Sequence, residues 1–184
     1  MLVAMNSQPD LGAHHRTHAR LRTQLHRLRA VADAFAADPS TRTARHTRGF
    51  ARSMAGTARR VHRHLGIERE LLFPLVNASS RDQVVTSGLA YDLSDIDQMS
   101  VRAVELADQL ARSPGNCDHA WRLARVVAEL TDQLDRHVAD AERELFPLIR
   151  GHVSADRYRP VARRLRGSVG ERMRDRIGHR AKPD

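Results

Sequence analysis

The chain has 184 residues, a formal net charge of +9 and a single cysteine, and only 4% of its residues are aromatic. One cysteine excludes an internal disulfide framework and a thiolate metal cluster within one chain. Because no apolar stretch is long enough to span a bilayer and the first residues lack a signal-peptide pattern, we expect a cytoplasmic protein with one main domain.

Apolar residues recur at helical spacing through most of the chain, and no run of alternating β-branched residues indicates a sheet. The fourth predicted helix, for example, should turn Trp121, Leu123 and Val127 inward. In chain order, the pattern predicts long helices over residues 10–37, 41–74, 82–112 and 118–147, and a shorter basic amphipathic helix over residues 155–177.

The connections between the long helices are short, which favours antiparallel neighbours. We therefore predict an all-α fold: an up-down-up-down antiparallel four-helix bundle with an additional C-terminal helix. The predicted organisation is a bundle over residues 10–152, a basic C-terminal helix over residues 153–177 and a disordered tail over residues 178–184.

A histidine lies nine residues ahead of a Phe-Pro pair twice in the chain, with acids between them. The first copy is HLGIERELLFP, which begins at His64, and the second is HVADAERELFP, which begins at His137. Each copy lies on a predicted amphipathic helix that should stop or kink at its proline. A duplicated histidine-plus-carboxylate helix is how a helical bundle holds metal in its core.

The spacing within the two copies differs. His64 and Glu68 are four residues apart, so both point from one helix face to the same place. His137 and Glu142 are five apart, which turns the carboxylate away from the histidine, and periodicity alone ranks Asp140 or Glu144 equally.

The first predicted helix adds two more histidines. His18 heads the apolar stripe of that helix, and His14 lies one turn earlier on the same face. Three helices thus place a histidine on an inward stripe, and two of them add a nearby acid. Burying such groups is costly unless something satisfies them, so the set predicts a metal site.

The two Phe-Pro strings, preceded by HARLRTQLHRLRA on the first helix, resemble the hemerythrin-like, or HHE cation-binding, domain over about residues 14–150. The resemblance implies a four-helix bundle with a non-haem di-iron centre that can be oxo-bridged. Zinc or another divalent metal is the alternative cofactor. The ligands it implies are His18, His64, bridging Glu68, His137 and bridging Glu142.

The third helix departs from the family pattern, which places two histidines four apart there. This chain has none on that helix, and offers Tyr91, Asp92 and Asp95 at the expected depth. Asp92 falls nearest the centre of the apolar stripe, and Tyr91 lies furthest round. We keep these three residues, and His14, as secondary ligand candidates. Tyrosine or aspartate would make the site harder and more anionic than an all-histidine one.

Hemerythrin-like proteins bind dioxygen, sense oxygen or nitric oxide, or handle peroxide and iron. The altered ligands favour binding or sensing of a small diatomic or peroxide ligand over simple oxygen carriage; turnover and oligomeric state stay open.

Two alternatives are a metal-free helical interaction module and a nucleic-acid or membrane-surface binder. The latter would use clustered C-terminal arginines, namely Arg157, Arg159, Arg163, Arg164 and Arg166. Cys117 shows no neighbour in the sequence that would activate it as a nucleophile.

Overall fold

The computed structural model describes residues 8–79 and 83–178, which form seven α-helices and contain no strand. The all-helical fold class is therefore confirmed. Most of the predicted tail, residues 179–184, lies outside the described residues. The helices are α1 (Gly12–Ala37), α2 (Ala44–Ile67), α3 (Phe73–Asn77), α4 (Gln83–Arg112), α5 (Cys117–Asp140), α6 (Phe146–His152) and α7 (Ala155–Gly178).

The four long helices α1, α2, α4 and α5 surround one hydrophobic core. α1 packs against α2 and α5, and α4 packs against the same two helices. Ring contacts pair Phe35 with Phe50 and His18 with His64, so residue numbers rise along α1 as they fall along α2. Salt bridges between α1 and α5 follow the same opposite order. α1 is therefore antiparallel to α2 and to α5.

Polar caps fix where two of the bundle helices begin. The side chain of Thr43 accepts a hydrogen bond from the His46 amide at the start of α2, and Asn116 accepts one from the His119 amide at the start of α5. These caps satisfy amide groups that have no partner within the helix. His64 and His137 lie near the other end of each helix and are buried in the core.

Both Phe-Pro motifs follow directly on a π-helical turn. The turns span Glu68–Leu72 and Ala141–Leu145. Since proline lacks an N–H group and its ring clashes with the carbonyl four residues earlier, a regular α-helix cannot accommodate it in its interior without distortion. In each turn the amide of the phenylalanine instead bonds the carbonyl five residues back. The chain then continues as α3 and α6, so it does not leave the helix at the proline.

The inward face of α5 differs from the predicted one at Trp121, which is 60% exposed. Its neighbours Ala120 and Leu123 are buried. Successive residues of a helix are about 100° apart, and the buried stripe of α5 runs through Ala120, Leu123 and Val127, which leaves Trp121 beside that stripe. The small alanine takes the core position, and the indole lies on the surface.

The C-terminal helix α7 packs against α1, α2 and the first π turn. Over residues 155–167 its buried residues share one face at helical spacing: Tyr158, Val161, Ala162 and Leu165. None of the helices in the described ranges is long and apolar enough to cross a membrane. The clustered arginines predicted as a nucleic-acid surface are exposed on α7, and that role stays a prediction: Arg157, Arg159, Arg163, Arg164 and Arg166.

Candidate metal centre

Four histidines and one glutamate from three helices meet inside the bundle. Each of the five side chains belongs to a residue that is at most 2% exposed. Helical spacing places two of them on each of the first two helices, because residues four apart share a face. They are His14 and His18 on α1, His64 on α2, Glu68 at the first position of the π turn, and His137 on α5.

The Glu68 carboxylate is the centre of this cluster. Its Oε2 atom lies 3.0 Å from Nε2 of His137. The Nε2 atoms around its Oε1 atom belong to His14 at 2.8 Å, His64 at 3.2 Å and His18 at 3.3 Å. One ligand atom from each of His14, His18, His64 and Glu68 lies within 4.8 Å of the others. All four imidazoles thus direct Nε2 to the same carboxylate.

Several ring nitrogens in the cluster have no hydrogen-bond partner. Both nitrogens of His64 are buried and unpartnered, as are Nδ1 of His18 and Nδ1 of His137. A buried polar atom without a partner destabilises the fold, so such atoms are rare and need an explanation. Nε2 of His64 lies beside Glu68 Oε1 without hydrogen-bonding geometry, and ligation of a cation would satisfy it. Imidazole and carboxylate are also the donor types that iron and zinc accept. The residues therefore fit a metal ion.

The pKa shifts of His14, His18 and Glu68 favour the ligating forms of these three groups. Burial lowers the pKa of His14 and lowers that of His18 to about 3, against hydrogen bonds to Glu68 that act in the opposite direction. Burial alone would raise the pKa of Glu68, but the surrounding histidines, His64 first among them, hold it well below its ordinary value. Neutral imidazoles beside an ionised carboxylate are the forms that bind metal.

The pKa of His137 shifts in the opposite direction to those of His14 and His18. Its burial acts to lower the pKa, yet the Glu68 carboxylate raises it overall, with further help from Asp92 and Asp140. The side of the cluster at His137 is thus the more negative one. The positive charge stabilised there is that of the protonated His137 ring, which a bound cation would replace.

The predicted ligand Glu142 does not lie in the cluster. Counted back from the Phe-Pro pair, the counterpart of Glu68 is Ala141, which is also buried and also opens a π turn. Glu142 comes one residue later, its side chain is 44% exposed, and it lies 3.1 Å from Nδ1 of the surface residue His15. Its role as a bridging ligand stays a prediction.

The secondary candidates on α4 lie at different depths. Asp92 is half-buried, and burial raises the pKa of its carboxyl while the nearby His137 acts to lower it. Asp95 is half-buried beside it. Tyr91 is 73% exposed, so its phenol faces solvent. Asp92 is the α4 residue that the charge of His137 affects most clearly.

Tyr158 on α7 is a contact of the cluster that the sequence did not reveal. Its buried hydroxyl lies 3.2 Å from Nδ1 of His14, and burial raises its pKa. When the His14 ring carries its proton on Nδ1, it donates to the Tyr158 oxygen and leaves the Nε2 lone pair free to bind a cation beside Glu68. The sequence predicted the apolar stripe of α7. It could not predict the contact of Tyr158 with His14, because the two residues are 144 positions apart.

A buried set of imidazoles around one carboxylate in a helical bundle is an arrangement that could hold a metal ion. The family profile of the hemerythrin HHE cation binding domain matches residues 13–149. The chain therefore belongs to the hemerythrin HHE cation-binding domain family. The match ends before α7, and hence before Tyr158. No curated protein and no solved structure matched the chain.

Proposed function

We propose that this protein is a hemerythrin-like non-haem iron protein, carried on an up-down-up-down bundle, that binds or senses O2, NO or peroxide. The observation that carries the proposal is the convergence of four imidazole Nε2 atoms on the buried Glu68 carboxylate. When bound, iron would supply the redox-active, Lewis-acidic centre that such ligands require.

The two oxygens of Glu68 support a centre with two unequal halves. Oε1 faces His14, His18 and His64, whereas Oε2 faces His137 alone. A carboxylate that offers one oxygen to each of two cations bridges them. We propose that three imidazoles hold the first iron, and that His137 with a carboxylate from Asp92 holds the second. Zinc is the main competitor, because the same donor types accept it.

The walls of the cluster restrict the ligand to a few atoms. Phe146 stacks on the His18 ring at 5.9 Å and meets the His14 ring edge-to-face at 5.3 Å. Tyr158 covers the other edge of His14. Because the ligating side chains are almost fully enclosed, a bulky organic substrate could not reach them. This enclosure favours a diatomic or peroxide ligand over an organic substrate.

The direct test is the metal content and optical spectrum of untagged full-length protein expressed with added iron. We expect iron to bind and the spectrum to change on addition of O2, NO or peroxide. His64→Ala and Glu68→Ala should each lose both properties, since each removes a donor at the centre of the cluster.

His62→Ala is the matched control for these variants. His62 lies on the same helix, but it is exposed and its Nδ1 lies 2.9 Å from Asp97. This variant should keep the iron and the spectral change. Iron retained unchanged in Glu68→Ala would contradict the proposal, because the metal would then be held elsewhere among the histidines of the chain.

A further inference from the structure

A second unusual arrangement lies at the opposite end of α1 from the metal centre. Arg42, in the turn between α1 and α2, is only 5% exposed. Its Nη2 atom lies 3.2 Å from Sγ of Cys117, and its Nε and Nη1 atoms are buried without a hydrogen-bond partner. At about 1.5 Å per residue along α1, this pair lies on the order of 30 Å from His14.

The buried guanidinium requires a negative charge close to it, since an unpaired buried ion is strongly destabilising. Among the described residues, no carboxylate forms an ion pair with Arg42. Asp38 interacts electrostatically with Arg42, but both oxygens of its carboxylate accept hydrogen bonds from Ser40. Asp118, next to the cysteine, pairs with Arg122 at 3.4 Å. The sulfur atom of Cys117 is therefore the group best placed to supply the charge.

Cys117 is well placed to carry that charge. It is the first residue of α5, directly after the cap Asn116, and its side chain is exposed. A helix N-terminus stabilises a negative charge, and a neighbouring arginine does the same. Solvent access on one side and a guanidinium on the other are the conditions found around reactive cysteines.

We propose that Cys117 is a redox modification site, whose sulfur, once it has given its proton to solvent beside the Arg42 guanidinium, reacts with hydroperoxides. The sulfur attacks one peroxide oxygen, so an S–O bond forms and the O–O bond breaks. The sulfur loses two electrons, the peroxide gains them, and the departing oxygen takes a proton from solvent to leave as water or an alcohol. The product is a sulfenic acid on Cys117, to whose oxygen the unpartnered N–H groups of Arg42 can donate.

The test uses the full chain, in which Cys117 is the only thiol. We would measure the rate of iodoacetamide alkylation at neutral pH, a reaction without peroxide to which the metal centre does not contribute. Wild-type Cys117 should react about tenfold faster than N-acetylcysteine under the same conditions. Arg42→Gln should slow the reaction about tenfold, because glutamine keeps much of the volume and a donor but removes the charge.

Arg45→Gln is the matched control, since Arg45 lies three residues further on and is exposed. It should react like wild type. With hydrogen peroxide, dimedone should label Cys117 in wild type and much less in Arg42→Gln. A wild-type rate no higher than that of N-acetylcysteine would overturn the proposal even if Arg42→Gln failed to fold. Equal rates in folded wild type and Arg42→Gln would overturn it as well.

Discussion

At the scale of single residues, Glu68 determines the chemistry of the centre. Local periodicity placed it correctly beside His64, because residues four apart on a helix share a face. The outward position of Glu142 could not be predicted in the same way, because it depends on the register of the π turn. The family resemblance implies Glu142 as the second carboxylate ligand, whereas our proposal uses Asp92.

Single substitutions of Asp92 and of Glu142 distinguish the two candidates for the second carboxylate ligand. We expect Asp92→Asn to lower the iron content. The Asp92 carboxylate interacts electrostatically with His137, and His137 is the only imidazole that contacts the Oε2 atom of Glu68. Glu142→Gln should leave the iron content unchanged, because its side chain pairs with His15 at the surface. Metal analysis of both variants decides the matter. Loss of iron in Glu142→Gln alone would restore Glu142 as the second carboxylate ligand.

At the scale of elements, the repeated Phe-Pro motif explains why the helices widen beside the cluster. Each proline follows a π turn, and π turns are often found at functional sites. The sequence predicted an irregularity at both prolines but not its form. Helix α7 could likewise be predicted as an amphipathic segment, whereas its docking on His14 could not, because no local pattern links residues so far apart.

The contact between α7 and α1 gives a prediction for Tyr158→Phe. This variant keeps the buried ring but removes the hydrogen bond to Nδ1 of His14. Partners of this kind orient a metal-bound histidine, so we expect metal affinity to fall about tenfold to a hundredfold. The free energy of unfolding of the metal-free protein should fall by only about 1 kcal/mol. Competition with a chelator of known affinity measures the first quantity, and denaturant unfolding measures the second.

Two outcomes would contradict a positioning role for Tyr158. Unchanged metal affinity in the folded Tyr158→Phe protein would mean that the hydrogen bond does not orient His14. A large loss of stability in the metal-free variant would mean that the hydroxyl serves the packing of α7 instead. The optical spectrum of the loaded variant adds an independent readout, because a reoriented imidazole changes it.

At the scale of the whole molecule, the bundle has two chemically distinct features at its two ends, the histidine cluster and the pair of Arg42 and Cys117. The histidine cluster was recognisable from the sequence because two strings repeat and three helices contribute histidines to one face. The pairing of Arg42 with Cys117 was not, since these residues are 75 positions apart and meet only when α1 and α5 pack together. The tertiary contacts thus bring together residues that no local sequence pattern links, both at Cys117 and at Tyr158.

The central claim is that the histidine cluster holds a cation, and the melting temperature with and without a chelator tests it most directly. A metal that binds only the folded state stabilises it by about 2.7 kcal/mol at a free concentration a hundredfold above Kd. We therefore predict that chelation lowers the melting temperature of iron-loaded wild type and leaves that of Glu68→Ala unchanged. A wild-type melting temperature that chelation does not alter would contradict the account, and the cluster would then be the hydrogen-bonded core of a metal-free interaction module.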